Sequence, residues 1–215
     1  VWPNGSTETK NNIEKNSTIE FDIINSIYAN DETSGTNLYF ENVEVVKHKH
    51  EENQYNDYAK EVLLPHENSR LGPGIATGDI NGDDLDDFIV GGAKDQPTAF
   101  YFQNSDGSFT NKKFSFSNSH SKYEDMDMIL QDFDNDGDLD LYIVSGGNEF
   151  EPNTPILKDR IYVNNGNGSL KYSENSIPNN YSSGMRLSHA DFDKDGDLDL
   201  FVGGRVVPGS YPLPA

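Results

Sequence analysis

Three short apolar runs, each closed by a pair of glycines, form the most regular pattern along this chain. They occupy residues 88–92, 141–147 and 200–204. Continuous apolar runs of this length, bounded by glycine, are typical of strands that are buried on both faces. A second candidate strand precedes each run at a similar interval, at residues 74–77, 128–130 and 185–188.

The first two runs are also followed by the pattern of a β-hairpin. In each hairpin two candidate strands flank a turn rich in Asn and Gly, which supply the positive φ angles that tight turns require. One unit therefore predicts a four-stranded antiparallel sheet, and tandem sheets of this kind build a β-propeller. The first hairpin joins residues 99–103 to 109–116 through the turn 104–107, and the second joins 160–163 to 169–173 through 164–168.

A nine-residue acidic segment recurs between the first and second strand of each unit. It reads DINGDDLDD from residue 79, DFDNDGDLD from residue 132 and DFDKDGDLD from residue 191, so the period is 53 and then 59 residues. Periods of this size indicate propeller blades or solenoid repeats. The predicted fold is therefore all-β, a partial β-propeller of about two and a half four-stranded blades. The blades are placed at residues 71–117, 118–178 and 179–215, the last one truncated.

The negative charge of the chain is concentrated in these segments. The 215 residues include 37 acidic and 16 basic side chains, for a formal net charge of −21, and each segment holds five carboxylates. A surface with this much negative charge excludes a nucleic-acid partner, because proteins bind a phosphate backbone through basic patches. No stretch approaches the ~18 consecutive apolar residues of a membrane span. Cysteine is absent, which excludes disulfides, thiol nucleophiles and Cys-based zinc sites.

The spacing of the acidic segments predicts calcium sites. Side-chain oxygens fall at positions 1, 3, 5 and 9 of each loop and the carbonyl of position 7 completes an oxygen shell, which suits a hard divalent cation. We therefore predict about three structural Ca²⁺ ions, one per loop. The ligands are Asp79, Asn81, Asp83, the Leu85 carbonyl and Asp87; then Asp132, Asp134, Asp136, the Asp138 carbonyl and Asp140; then Asp191, Asp193, Asp195, the Asp197 carbonyl and Asp199.

The sixth loop position distinguishes the first site from the other two. Gly137 and Gly196 allow the sharp turn there, whereas Asp84 replaces glycine in the first loop, so that site is expected to be the weakest. An EF-hand is excluded because its loop needs a carboxylate at position 12 and helices on both sides. Position 12 is apolar in all three loops, as Val90, Ile143 and Val202.

These loops resemble the FG-GAP/VCBS repeats of integrin α-chain-like propellers, in which the same aspartate loop joins the first two strands of a blade. The resemblance covers residues 71–215 and rests on three matching loops. Residues 63–79 and 90–93 are similar, more specifically, to bacterial proteins of the ASPIC/UnbV and CRTAC1-like group. Residues 1–5 and 16–24 look like the end of the ASPIC/UnbV module that lies beside such propellers.

The resemblance implies an exported protein, secreted, periplasmic or on the outer cell surface, and often a binding or adhesion module. Residues 1–28 are then the tail of the ASPIC/UnbV-like module, and residues 29–70 a linker with a possible propeller-closing strand at 38–46. Because a closed propeller continues for several blades, we expect the chain to be a piece of a longer protein. Its terminal blade faces are expected to promote self-association or to leave the third unit disordered.

Motifs of a catalytic site are missing from the sequence: there is no G-x-S-x-G, P-loop, H-E-x-x-H or Rossmann glycine pattern. The predicted function is therefore that of a non-enzymatic, calcium-binding module that recognises an unidentified protein or glycan. The alternative is a non-catalytic part of a larger secreted enzyme, of the polysaccharide-lyase or phospholipase kind, whose site lies elsewhere. A structural spacer is a third possibility.

Recognition is predicted on the face away from the aspartate loops, where the connections are long. Tyr123, Phe150 and Tyr181 are candidate aromatic anchors, with packing between blades as the alternative. His48 and His50 flank Lys49 at a spacing that could ligate a metal, but without a third ligand we interpret them as surface histidines. The other histidines are interpreted as structural: His66, His120 and His189.

Overall fold

The computed structural model describes residues 8–12, 15, 18–22 and 43–212. The chain divides into two compact units, Val1–Val43 and Glu44–Ala215. In the first unit the Asp22 N–H donates to a Glu8 carboxylate oxygen at 2.8 Å. The ASPIC/UnbV-like motif at residues 1–5 and most of the candidate strand at 38–46 lie outside the described residues, and residues 43–46 have no regular secondary structure.

The described part of the second unit contains ten strands in three antiparallel sheets. The first sheet has the order β1-β2-β3-β4, and the second has the order β5-β6-β7-β8. The third consists of β9 paired with β10. Their bounds are β1 Ile75–Gly78, β2 Asp87–Val90, β3 Ala99–Gln103, β4 Phe109–Lys112, β5 Asp125–Gln131, β6 Asp140–Ser145, β7 Arg160–Val163, β8 Lys171–Tyr172, β9 Gly184–Ala190 and β10 Asp199–Gly204.

Helical structure is confined to single turns in the described ranges: 3-10 turns at Asp57–Ala59 and Pro155–Leu157, and one α-helical turn, α1, at Ser117–His120. The sheet order confirms the predicted all-β fold of partial propeller blades. Within these ranges no helix is long and apolar enough to cross a lipid bilayer.

The hydrophobic core lies between successive sheets. Side chains of the first sheet, among them Ile89 and Phe100, pack against Leu141 and Ile143 of the second, and all four are fully buried. A second cluster joins the other face of the second sheet to the third sheet. All residues of β6 are buried, and alternate ones belong to the two clusters, so the second sheet is covered on both faces, as in blades of a propeller.

The paired glycines that close the apolar runs are points of close approach between neighbouring sheets. A Cβ atom on Gly91 would lie 2.9 Å from the carbonyl oxygen of Asp125, where β5 begins. A Cβ atom on Gly146 would lie 2.2 Å from the carbonyl oxygen of Gly184, where β9 begins. Neither position has room for a side chain, so these glycines determine how closely each sheet approaches the next.

A buried ion pair fixes the contact between the first two sheets. Arg160 on β7 is fully buried and pairs with one carboxylate oxygen of Asp125. The other oxygen of Asp125 accepts hydrogen bonds from the first repeat, from the Gly92 N–H at 2.9 Å and the Thr98 hydroxyl at 2.6 Å. Because each oxygen has a different repeat as its partner, this carboxylate ties the two blades together.

The segment before the first sheet packs on the repeats. The His48 ring nitrogen Nδ1 lies 2.9 Å from the Tyr101 hydroxyl, and Gln96 donates to the Lys49 carbonyl at 2.8 Å. Farther along, the Asn148 amide donates to the Asp57 carboxylate at 2.7 Å. Residues 44–70, which the sequence suggests as a linker, therefore contact both four-stranded sheets.

Candidate metal centres in the aspartate loops

The three aspartate loops connect equivalent strands. Residues 79–86 join β1 to β2, residues 132–139 join β5 to β6, and residues 191–198 join β9 to β10. Each connection links an antiparallel pair whose last register partners are the residues beside the loop, for example Gln131 and Asp140. The loops therefore occupy the same position in all three repeats, as the sequence predicts.

A common hydrogen-bond pattern holds each loop. The carboxylate at position 1 accepts the N–H of position 6, and the carboxylate at position 5 accepts the N–H of position 7. These local bonds fold the backbone around the carboxylates, as Asx-type turns do. The first bond is 2.8 Å from Asp84 to Asp79, 3.0 Å from Gly137 to Asp132 and 3.2 Å from Gly196 to Asp191; the second is 3.0 Å from Leu85 to Asp83, 3.0 Å from Asp138 to Asp136 and 3.1 Å from Asp197 to Asp195.

Two loop positions, not one, require a positive φ angle. The first loop has its glycine at position 4, Gly82, and a non-glycine at position 6, Asp84 with φ 63°. The other loops reverse this order, because Gly137 and Gly196 stand at position 6 while Asn135 (φ 59°) and Lys194 (φ 64°) stand at position 4. Each loop therefore contains one non-glycine in the left-handed region, and backbone strain gives no reason for the first site to be the weakest.

The carboxylates at positions 1, 3 and 5 converge in the second and third loops. One oxygen each from Asp132, Asp134 and Asp136 lies within 4.8 Å of the others, and Asp191, Asp193 and Asp195 form the same arrangement. In the first loop Asn81 stands at position 3, and its amide donates to Asp83 at 3.1 Å. Clusters of carboxylate oxygens this tight suit a divalent cation with oxygen ligands.

The carboxylate at position 9 occupies a different environment. Asp87 and Asp140 are fully buried, and one oxygen of each accepts the N–H of position 2 in its own loop at 3.1 Å. The other oxygen accepts an N–H from the hairpin of the same sheet, Gln103 at 2.9 Å or Asn164 at 2.8 Å. In the first two loops position 9 thus joins loop to hairpin, whereas Asp199 in the third loop is exposed and accepts the Phe192 N–H at 3.0 Å. None of the three belongs to the three-carboxylate clusters of the described residues.

The electrostatics of the loops vary with position. Burial raises the pKa of Asp87 and of Asp140 above the ordinary value for aspartate. Burial also acts to raise the pKa of Asp79. The backbone N–H groups that donate to its carboxylate, of which Asp84 has the largest effect, outweigh burial, so the pKa of Asp79 is lowered. Desolvation and the neighbouring carboxylates, led by Asp136, raise the pKa of Asp138. The carboxylates therefore repel one another, which a bound cation relieves.

The hairpin of the second sheet lies between the first two loops. The Asn164 amide donates to the Ile80 carbonyl in the first loop at 2.7 Å and to the Leu139 carbonyl at 3.0 Å. A Cβ atom on Gly166 would lie 2.5 Å from an Asp138 carboxylate oxygen. Sequence reasoning missed this bridge; the available signal was the Asn at the end of the strand followed by Gly166 and Gly168.

The candidate aromatic anchors differ in exposure. Phe150 is buried, and the Lys94 ammonium lies 5.3 Å from the centre of its ring. Tyr123 covers the buried Arg160, with 4.2 Å between its ring centre and the guanidinium carbon. Phe150 is therefore a packing residue, which corrects the prediction that it anchors a partner, whereas Tyr123 is half-exposed beside Arg160. Tyr181 is half-exposed and lines a surface cavity.

Comparison with known proteins identifies a family. A family model described as an FG-GAP-like repeat matches residues 79–143 and again residues 132–202. Together the two matches run from the first aspartate loop into β10 and cover more than half of the chain. A search of curated proteins finds no match.

Proposed function

The chain belongs to the FG-GAP-like repeat family, and on that premise we propose that it is a calcium-binding β-propeller module. It recognises a protein or glycan outside the cell and has no catalytic role. The observation that carries the proposal is the repetition of one loop geometry in three sheets, with three carboxylates converging within 4.8 Å in two of them. Oxygen ligands alone favour Ca²⁺ over zinc or copper.

Calcium has a structural role in this proposal. Each loop joins the first two strands of a sheet. In two loops carboxylate oxygens lie within 4.8 Å of one another, and such like charges destabilise the turn unless a cation neutralises them. A bound ion lowers the free energy of the folded state only, so stability rises with calcium concentration. Aspartates committed to an ion are poor general acids or bases, which supports a non-catalytic role.

Recognition is proposed on the face opposite the aspartate loops, at the half-exposed Tyr181. Its side chain lines a cavity of about 280 Å³ together with Pro152, Asn153 and Val206. An aromatic ring beside polar groups in a concave surface provides the anchor that protein and glycan ligands use. The proposed location outside the cell follows from the resemblance to exported FG-GAP/VCBS proteins.

Calorimetric titration of the metal-stripped chain with Ca²⁺ tests the proposal. We expect about one ion per loop, with affinity in the range of extracellular modules, ~10⁻⁴–10⁻³ M. Asp134→Ala and Asp193→Ala should each remove one ion and leave the other loops occupied. A chain that takes up no Ca²⁺ and melts at the same temperature with and without chelator would contradict the proposal.

A further inference from the structure

Two surface cavities of about 280 Å³ each share the segment that follows β10 as a wall. The tyrosine cavity contains Tyr181, and the arginine cavity is lined by Arg205 and by His66 from the segment before β1. Val206 and Val207 line both cavities, so one elongated ligand can contact the two together. We call the pair of cavities the groove, and their combined size is that of a ligand site, about 300–1,000 Å³.

The walls of the groove lack the negative charge that dominates the chain. The sequence has 37 acidic side chains and 16 basic ones. Each of the described residues that line the groove is nevertheless apolar or uncharged polar, except Arg205 and the titratable His66. The cavity on the third sheet differs, because Asp193 and Asp199 line it. The groove therefore suits an anionic ligand although the net charge of the chain is −21.

The acidic residues that precede the arginine cavity in the chain bind within the protein. Asp57 accepts the Ser69 hydroxyl at 2.5 Å, and Glu61 accepts the Asn148 amide and the Tyr211 N–H, both at 2.7 Å. Neither of these carboxylates lines the groove. The bond from Tyr211 to Glu61 instead holds the segment after β10 against the segment before β1, and these two segments form the arginine cavity.

Arg205 supplies the positive charge of the arginine cavity. Its side chain is exposed, and within the described ranges its guanidinium contacts His66 Nε2 at 2.7 Å and the Met185 sulfur at 3.9 Å but no carboxylate. Because a guanidinium N–H only donates, Nε2 accepts, and the histidine orients the guanidinium without neutralising its charge. The remaining N–H groups of such a planar fork can bind a carboxylate in bidentate geometry.

Uncharged polar groups line the rest of the groove. Asn153, Asn180 and Ser182 lie with Tyr181 in the tyrosine cavity. Asn68 lines the arginine cavity and is 5% exposed, and its Oδ1 has no hydrogen-bond partner, so its amide has bonding capacity left for a ligand. Amides and hydroxyls donate and accept, as sugar hydroxyls do, and the half-exposed Tyr181 ring offers an apolar surface to a sugar ring. These groups favour a glycan over a peptide as the ligand.

We propose that the groove binds a glycan whose sugars carry a carboxylate, that is, a glycan of uronic acids. A carboxylate of the glycan binds Arg205 in the arginine cavity, and a neighbouring sugar ring lies against Tyr181 in the tyrosine cavity. The inference rests on the proposed recognition at Tyr181 and adds to it the chemical class of the ligand. Bidentate binding at Arg205 then selects acidic sugars over neutral ones.

Titration with defined oligosaccharides, followed by NMR in saturating calcium, tests the class of ligand. The probes are oligomers of galacturonic, glucuronic and mannuronic acid, each paired with the neutral oligomer of galactose, glucose or mannose. We expect at least one acidic oligomer to bind about tenfold or more tightly than its neutral counterpart, because hydrogen bonds to a charged group are the stronger ones. The absence of such a preference in all three pairs would overturn the proposal.

Two variants separate the acidic ligand from the proposed recognition at Tyr181. Arg205→Gln should abolish the preference for the acidic oligomer, whereas Tyr181→Ser should weaken binding of acidic and neutral oligomers alike. Arg186→Gln is the matched control, because Arg186 is also exposed but lines neither cavity, and it should bind as the wild type does. If Tyr181→Ser loses binding while Arg205→Gln keeps the preference, recognition at Tyr181 stands and the uronic-acid class is wrong.

A peptide probe and calcium uptake complete the test. A peptide of six glutamates should bind more weakly than the acidic oligomer. Equal or tighter binding of this peptide, with the same dependence on Arg205, would show an acidic peptide site and overturn the glycan. All three variants should melt near the wild-type temperature and take up the wild-type number of Ca²⁺, because the groove contains no aspartate-loop residue. A failure of calcium binding is therefore detected separately from a failure of the groove.

Discussion

The Asn164 side chain donates a hydrogen bond of 2.7 Å to the Ile80 carbonyl, which links the hairpin of the second repeat to the aspartate loop of the first. The same residue donates its backbone N–H to Asp140, which follows the second aspartate loop, at 2.8 Å. One asparagine thus contacts both loops. The aspartate loops of the first two FG-GAP-like repeats are therefore linked by hydrogen bonds through one hairpin residue.

The first prediction is that Asn164→Ala weakens calcium binding at two loops together. Loss of its amide leaves the Ile80 and Leu139 carbonyls without that donor, at a cost of about 1–3 kcal/mol. Calorimetry should show lower affinity at the first two sites and no change at the third. Asn104→Ala is the control, because Asn104 bonds only within its own hairpin. A change at one loop alone would contradict the connection.

The second prediction concerns strain at position 4 of the third loop. Lys194 has φ 64°, so Lys194→Gly should raise the free energy of unfolding by up to about 1 kcal/mol in chelator. Asn135→Gly at the same position of the second loop should raise the free energy of unfolding by less, because Asn tolerates the left-handed region better than Lys does. Urea unfolding of both variants measures the difference, and an equal gain or a loss for Lys194→Gly would refute it.

The third prediction tests the spacing between sheets. Gly146→Ala should destabilise the protein by about 1–3 kcal/mol, because its Cβ would lie 2.2 Å from the Gly184 carbonyl oxygen. Gly203→Ala on β10 is the control, since the nearest atom to its Cβ would be 3.6 Å away. Denaturant unfolding should therefore separate the two variants clearly. Similar losses of stability in both variants would mean that the low strand propensity of the substitution, and not the close approach of the sheets, causes the loss.

The fourth prediction is a pH dependence from His120. Burial, and then the charge of Arg160, lowers the pKa of His120 below its ordinary value of 6.5. Below pH 6.5 the unfolded chain therefore binds more protons than the folded one, so stability falls as pH drops through 6.5 toward the folded-state pKa. His120→Asn should reduce the pH dependence of the free energy of unfolding between pH 7 and 5.5. An unchanged slope in His120→Asn would disprove the assignment.

The fifth prediction is self-association through the third sheet. Phe201 on β10 is 73% exposed and Phe192 in the adjoining aspartate loop is 87% exposed, so the two rings present an apolar surface to solvent. Light scattering should show an average molar mass that rises with protein concentration. Phe201→Ser should make this rise smaller. Val62→Ser removes an apolar side chain of similar exposure outside this sheet and serves as the control. A wild-type chain that stays monomeric at all concentrations would contradict the prediction.

Local patterns predicted most of the strands. The candidate strands at residues 99–103 and 160–163 coincide with β3 and β7, because apolar runs and Asn/Gly turns act over a few residues. The strand proposed at 109–116 ends at Lys112 instead. Phe114 leaves the sheet and its ring lies 4.7 Å from Phe100 and 5.2 Å from Phe116, so packing between sheets overrides its strand propensity.

The sequence by itself determined the repeat, its strand order and the carboxylate-rich loops, because spacing and glycine placement act within a single unit. Only the tertiary structure decided that position 9 joins loop to hairpin, that Asn164 spans two repeats, and that Phe150 is buried. It also placed side-chain atoms of Glu124 and Glu149 beside Gly147. Such contacts join residues distant in the chain, and burial, which sets their pKa and hydrogen bonding, arises only when the sheets stack.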